Sequence, residues 1–559
     1  MRGPRQGGEG GVQVKVLSAP AGTAAALEAL QAHRAVERLW AEDHTLWNPS
    51  PVEIRDRMGW LHLPSTMAER AEEFRRFAEE VRESGLREAL LLGMGGSSLA
   101  PETFAGLLGC EKEGMPLHVL DSTHPAAVEA AWERQDPSRT LLIVSTKTGT
   151  TVETLSLFRL FYRRLTLSVG ADRARRQCVA ITDPGSPLAS EAGRLRLLRL
   201  FLGDPTVGGR YAALSPFGLL PAALIGIDLQ ALVRSAGAMA DACRAPAQTN
   251  PAAQLAAALA AAAWAGRDKL TLTTSTSTES LAPWIEQLVA ESTGKDGRGI
   301  LPVLGEPLGP PSAYGSDRVF LELRLAEESP DPQLAPLEGA GQPSVSVVLG
   351  SAGEVGGAFF LWECATALLA HLMGVHPFNQ PNVDSAKDLA RREVEDYCRT
   401  GRVDEVVPEP LLAEDVAAFV DEGRAGDYVA LQVFLPPEER TREALGALRQ
   451  AIRGRTCFAT SQGYGPRYLH SVGQLHKGDR GNGRFIQLLS PSGPDVLIPD
   501  DLESEGSTLS FGALIAAQAA GDRRALRAAG RPVLARRVDP PLAGAVRRVA
   551  DALSRLELA

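Results

Sequence analysis

The stretch 141–155, LLIVSTKTGTTVETL, constrains this chain more than any other. Leu141 to Val144 form a short apolar run, the pattern of a strand covered on both faces in a parallel sheet. Ser145 to Thr151 then place five hydroxyls, one lysine and one glycine in seven residues, after which Val152, Leu155, Leu157 and Phe158 open a helical spacing. A strand that turns through hydroxyls into a helix offers free N–H groups at the positive end of the helix dipole, with O–H donors and an ammonium beside them. A phosphate monoester needs such a set of donors. A helix cap needs one hydroxyl, not five, so the stretch points to an anion site.

At 559 residues the chain has room for roughly three to four domains with sizeable cores. Its net charge is −10 and it has no long Lys/Arg run, which argues against binding to nucleic acid or to an anionic membrane. A small anionic substrate remains compatible, because one site can be positive on an acidic protein. The arginines between Arg523 and Arg547 read as a solvated face of a helical C-terminal region. Six cysteines lie scattered without a CxxC pair, which argues against a zinc site or disulfide scaffold and suits a reducing cytoplasm. The N-terminal MRGPRQGGEGG reads as a polar tail rather than a signal peptide. The only long apolar tract, 255–264, is mostly alanine, too short to span a bilayer, and reads as a buried helix.

Residues 24–83 are helical in pattern, with Trp40, Trp47 and Trp60 as core anchors and Pro49, Pro51 and Pro64 as breaks. Strands are expected at 88–94, 118–121, 141–144 and 177–182, alternating with helices. A second series has strands at 270–274, 319–325 and 344–348, with helices at 281–291 and 357–374. A third region begins near Tyr428, with strands at 428–435, 456–460 and 484–489 and helices at 437–454, 514–519, 523–528 and 542–556. The alternation predicts an α/β chain with doubly wound parallel sheets. The expected division is a tail and helical segment at 1–65, units at 66–245 and 246–404, and a C-terminal α/β region at 405–559.

Four further places carry candidate chemistry. The turn Gly93-Met94-Gly95-Gly96-Ser97-Ser98 lets backbone approach a ligand, and a doubly wound sheet would bring it beside Thr146–Thr151; alone it also fits a tight turn. In Gly208-Gly209-Arg210-Tyr211 an always-charged guanidinium could face a developing oxyanion, or equally sit on a surface turn. Gln287 and Glu291 lie one helical turn apart before the stop Gly294. A carboxylate so placed can move a proton between adjacent carbons, although an isolated glutamate near a helix end is more often solvated. Lys387 follows a structured-looking Asn379-Gln380-Pro381 loop; its bland reading is an exposed helix lysine.

LLGMGGSSLAP, STKTGTTVET, VGGRYAALSPFG, QLVAESTGK and HPFNQPNVDSAK occur here in the order seen in phosphoglucose isomerases. The chain most resembles the isomerase part of bacterial transaldolase/glucose-6-phosphate isomerase fusions, over roughly residues 37–392. RYLHSVGQLHKGD and STLSFGALIAAQA extend the likeness near the C-terminus. The resemblance implies two sugar-isomerase (SIS) domains holding a sugar phosphate between them, with Gly96, Ser97, Thr146, Lys147, Thr148 and Thr151 around the phosphate. It implies Arg210 on the enediol intermediate, Glu291 as the base with Gln287 beside it, Gln380 among the substrate-binding residues, and Lys387, in the same family loop, helping at the ring oxygen during ring opening. One departure stands out. The family's histidine belongs between ESTGK and FNQP, where this chain has only His371, in an apolar helix, and His376, in the wrong context. The segment His470-Ser471-Val472-Gly473-Gln474-Leu475-His476-Lys477 resembles the missing piece, so His476, or failing that His470, is expected to open the ring.

The implied reaction is reversible conversion of glucose 6-phosphate to fructose 6-phosphate through a cis-enediol, with no metal or organic cofactor. The implied setting is the cytoplasm, as a homodimer. Two alternatives remain open at this level: a non-catalytic sugar-phosphate sensor, and an isomerase of another sugar phosphate such as mannose 6-phosphate. Neither Glu291 nor Lys387 would be needed by a sensor.

Overall fold

The computed structural model describes residues 11–112, 114–400, 409–490 and 493–556, apart from the side chains of 384–388, 390, 396–398 and 400. The first described strand, β1 (Val12–Ser18), alternates Val12, Val14 and Val16 with more polar or exposed positions. It was not expected from the sequence, where the chain before residue 24 gave only a tail. Five strands follow in the first sheet: β2 (Glu88–Gly93), β3 (Leu117–Leu120), β4 (Thr140–Ser145), β5 (Cys178–Thr182) and β6 (Arg199–Leu202). They are all parallel, in the order β3-β2-β4-β5-β6. All six residues of β4 are buried, as its uninterrupted apolar run requires of a central strand with helices on both faces.

The second sheet contains β7 (Lys269–Thr274), β8 (Leu301–Leu304), β9 (Arg318–Leu325) and β10 (Ser344–Leu349) in parallel. At its edge β1 pairs antiparallel with β10, Val12 opposite Leu349. The segment expected as a separate unit at 1–65 is thus divided: its strand closes the second sheet, while Trp60 is fully buried beside Tyr211 and Phe360. Trp40 and Trp47 are only partly buried, packed against the same core.

The third sheet is parallel and has the order β12-β11-β13-β16, from β11 (Tyr428–Phe434), β12 (Ala459–Tyr464), β13 (Gly483–Leu489) and β16 (Val533–Arg537). A two-stranded ribbon, β14 (Leu497–Ile498) with β15 (Leu509–Ser510), lies between β13 and β16 in the chain. Two expectations are corrected here. The arginine-rich C-terminal stretch contains the strand β16, and the helices expected at 514–519 and 523–528 are one helix, Phe511–Ala528. A third correction concerns apolar length. The helix Val355–Met373 is longer than 255–264, and nearly all of it is buried among the first two sheets' helices, which makes it the shared core element of both units.

A buried ionic cluster joins the second and third sheets. Glu306, after β8, has no exposed side-chain surface and faces Arg318 at 2.9 Å and Arg453 at 3.4 Å. Its Oε1 also accepts from the backbone N–H of Thr460 at 3.0 Å and from its hydroxyl at 2.7 Å, on β12. Removing one member of such a pair strands the opposite charge in a dry interior, at a cost of roughly 3–5 kcal/mol. Glu306→Ala is therefore expected to lower the free energy of unfolding by about that amount. Equilibrium urea denaturation checks this, and an unchanged midpoint would show that the cluster does not hold the third sheet in place.

Candidate active site

β2 and β4 are neighbours whose connections leave in opposite directions, so the crevice at their C-terminal ends is the sheet's switch point. Gly93 and Ser145 are registered partners at those ends, and the two candidate loops leave the sheet side by side. The first becomes a single turn, Gly95–Ser97, whose packing explains its glycine. A Cβ on Gly96 would stand 2.0 Å from the carbonyl oxygen of Gly209, so only glycine lets this turn touch the turn that carries Arg210. In the second loop the hydroxyls of Thr146 and Thr151 lie 2.9 Å apart, as do those of Thr148 and Thr150. Thr151 stands at the N-terminus of the helix Val152–Val169 without a side-chain capping bond, leaving that helix end open for an anion.

Arg210 is the most connected side chain of the site, and it is buried. One Nη lies 2.9 Å from Glu291 Oε1. Nε donates to Ser292 Oγ at 2.9 Å, and the Nη groups donate to Gln380 Oε1 at 3.2 Å and to the Pro377 and Asn379 carbonyls at 2.6 and 3.2 Å. Lys295 secures the same loop by donating to the Asn379 carbonyl at 2.6 Å. Burial, and then the nearby Arg210 charge, push the Lys295 ammonium well below its ordinary pKa. Gln287 and Glu291 share the inner face of the helix Ala282–Thr293. Gln287 Nε2 donates to Glu291 Oε2 at 3.2 Å and to the His470 carbonyl at 2.7 Å.

That last bond leads into the third region. A Cβ on Gly294 would fall 2.4 Å from Leu475 Cα, so glycine is required where the end of the helix Ala282–Thr293 meets the segment that follows His470. Gln474 locks the contact by donating to the Gly294 carbonyl at 2.9 Å and to Asn382 Oδ1 at 2.7 Å. His470 Nε2 lies 2.8 Å from Glu153 Oε1, in the first turn of the helix that begins after the hydroxyl loop. A cavity of about 360 Å³ is lined by Thr148, Thr150, Thr151, Glu153, His470 and Gln518, among others. Glu291, partly exposed, adjoins this cavity through Gln287, which bonds both it and the His470 carbonyl. A second cavity of about 330 Å³, at Trp264, Asp268, Arg298 and Arg480, has neither the hydroxyl loop nor the arginine–glutamate pair on its walls.

Several expected residues stand differently from their anticipated places. Lys147 turns to an ion pair with Asp183 and donates to the Asp204 carbonyl at 3.2 Å, so it is committed to protein partners. His476 is enclosed by Phe485, Tyr468 and Tyr428, with ring centroids 4.9, 6.0 and 6.3 Å away. Among the described residues neither of its ring nitrogens has a hydrogen-bond partner, and burial, with Lys477 and Arg531 nearby, lowers its pKa well below the usual histidine value. A ring so enclosed cannot reach the cavity, and His470, six residues earlier, takes the position anticipated for it. His371 is turned away, bonded to the Leu46 carbonyl and to His33. Lys387 falls on the helix Pro381–Thr400, and its side chain lies outside the described residues. Glu153, Thr150, Lys295 and Gln518 were not singled out from the sequence; a glutamate two residues past the last of five hydroxyls was the one available signal.

The arrangement can bind an anion at a helix N-terminus, hold a carboxylate against a guanidinium, and present a carboxylate-paired imidazole to one cavity. A model of the family described as phosphoglucose isomerase matches residues 65–298. The glucose-6-phosphate isomerase of Rubrobacter xylanophilus is 30% identical over 400 residues, which cover 62% of this chain and 90% of the relative. That of Thermus thermophilus is 29% identical over 384 residues, covering 60% and 90% respectively. Among solved structures, a hypothetical protein from Thermus thermophilus is similar with a TM-score of 0.58 at 27% identity, covering 68% of this chain and 99% of the other. A Chlamydia trachomatis glucose-6-phosphate isomerase shares the fold at the same TM-score of 0.58 with 17% identity, covering 69% and 89%. With nine-tenths of the first of these relatives matched at 30% identity, the chain belongs to the phosphoglucose isomerase family.

Proposed function

We propose that this chain interconverts glucose 6-phosphate and fructose 6-phosphate by proton transfer through a cis-enediolate. The observation that carries the reading is the contact of the buried Arg210 with Glu291, linked through Gln287 to His470, which lines a cavity together with the hydroxyl loop. The names of the curated relatives support the substrate assignment.

The phosphate sits at the N-terminus of the helix Val152–Val169, held by the hydroxyls of Thr148, Thr150 and Thr151 with the Gly96–Ser97 turn alongside. Binding energy from that remote group orients the reacting carbons. His470, oriented by Glu153, takes the proton from the hemiacetal hydroxyl and delivers it to the ring oxygen as the C1–O5 bond breaks, leaving an aldehyde. Glu291 then removes the proton from C2; the electron pair forms the C1–C2 double bond and charge accumulates on the C1 oxygen. Arg210 faces that charge, already fixed by its other bonds, so little reorganisation is needed. The proton of the C2 hydroxyl passes to the C1 oxygen, and Glu291 returns its proton to C1 as the ketone forms at C2. By the family resemblance, Lys387 assists at the ring oxygen during ring opening.

Glu291→Gln is expected to lower kcat by at least the roughly 10²–10⁴-fold that a positioned base contributes. A coupled assay across glucose, fructose and mannose 6-phosphates measures this, and near-normal turnover in the variant removes the carboxylate from its role.

The two histidines separate cleanly. His470→Ala is expected to lose about 10²-fold on the cyclic substrate while retaining proton exchange on the open-chain form. His476→Phe, which fills the same aromatic pocket, is expected to leave turnover within about twofold, since the ring touches no reacting group. The opposite pattern returns the role to His476.

A further inference from the structure

The hydrogen bonds around His470 do not stop at Glu153. Gln518, buried on the helix Phe511–Ala528, donates from Nε2 to Glu153 Oε1 at 2.7 Å, the same oxygen that faces His470 Nε2 at 2.8 Å. The hydroxyl of Thr123, fully buried in the loop after β3, donates to Gln518 Oε1 at 3.1 Å. This second bond sets the amide's direction. With its oxygen taken by Thr123, the NH₂ end must face the carboxylate; flipped, the amide would set two oxygens against each other.

We infer that Gln518, with Thr123 behind it, is a positioning residue for ring opening: it aims the Glu153 carboxylate at His470 and so makes the third region's docking a condition of that step. The inference rests on His470 as the ring-opening group. Glu153, in the first turn of a first-unit helix, has its Oε1 held between His470 Nε2 and Gln518 Nε2. His470, at the end of the short turn Arg467–His470, depends in turn on that oxygen to hold its ring. A ring that swings by an ångström loses the alignment that a positioned acid–base group needs. Because Thr123 and Gln518 come from opposite ends of the chain, the buried bond between them also registers the third sheet against the first.

Gln518→Met keeps the volume and removes both polar ends. It is expected to lower kcat on the cyclic substrate by roughly tenfold, part of the larger contribution of an acid–base group. KM and proton exchange on the open-chain form should stay within about twofold, with a smaller loss of the same kind in Thr123→Val. In a His470→Ala background Gln518→Met should cost nothing further, since the two substitutions disable one unit. Equal losses with and without His470, a raised KM with unchanged kcat, or wild-type turnover of Gln518→Met would each overturn the inference. If His470→Ala itself keeps full activity on the cyclic substrate, the reading of His470 fails and this inference falls with it. If His470→Ala loses that activity and Gln518→Met does not, the inference fails alone.

Discussion

Arg210 is the constraint on which the rest of the site depends. Its guanidinium is out of water, and a buried charge is tolerated only when paired and fully hydrogen-bonded. Satisfying it draws together the helix end at Glu291 and Ser292, the Pro377–Gln380 loop and the Gly209 turn, which in turn touches Gly96. The arginine–glutamate contact is thus a structural necessity of the buried cation. Because the donors are held before substrate arrives, their dipoles are aimed in advance, the condition under which electrostatic stabilisation of a transition state is strongest.

A second dependence runs between the third sheet and the first two. The third region supplies His470 and Gln518 to the cavity, and the close approach of Gly294 to Leu475 leaves no slack at the junction. The same junction is secured at a distance by Glu306 and its arginines and by Arg467, which pairs with Glu102 and, at 3.1 Å, with Asp121. Asp121 in turn accepts from Ser98 at the glycine turn. Packing that holds the third sheet in place is therefore continuous with packing that shapes the anion end of the site.

The parts of this arrangement that lie within one short segment were legible in the sequence. The buried strand before the hydroxyls, the helix after them and the one-turn spacing of Gln287 and Glu291 all follow from local periodicity. Much of what failed depended on segments far apart. His470 and His476 sit in one motif, and only the docking of the third sheet decides which faces the cavity and which is shut behind aromatic rings. Glu153 and Gln518 are 365 residues apart, so nothing local could join them. β16 was hidden because VLARR is a half-buried strand at a sheet edge, whose arginines read as a solvated helix face. β1 was passed over although its alternating valines carry the period of a strand, because a glycine-rich tail precedes it.

The central claim is that Arg210 is matched to charge that develops on the substrate during the reaction, more than to the substrate at rest. A five-carbon aldonic acid phosphate tests it directly, since its carboxylate stands in for the enediolate oxygens while its phosphate binds as the substrate's does. The account predicts that this acid binds the wild-type protein at least about 10²-fold more tightly than the sugar phosphate. Arg210→Lys, which keeps the charge and loses the planar fork, should remove most of that advantage while leaving sugar-phosphate affinity nearly unchanged. An advantage that survives intact in Arg210→Lys, or affinities for both ligands that fall together, would contradict it.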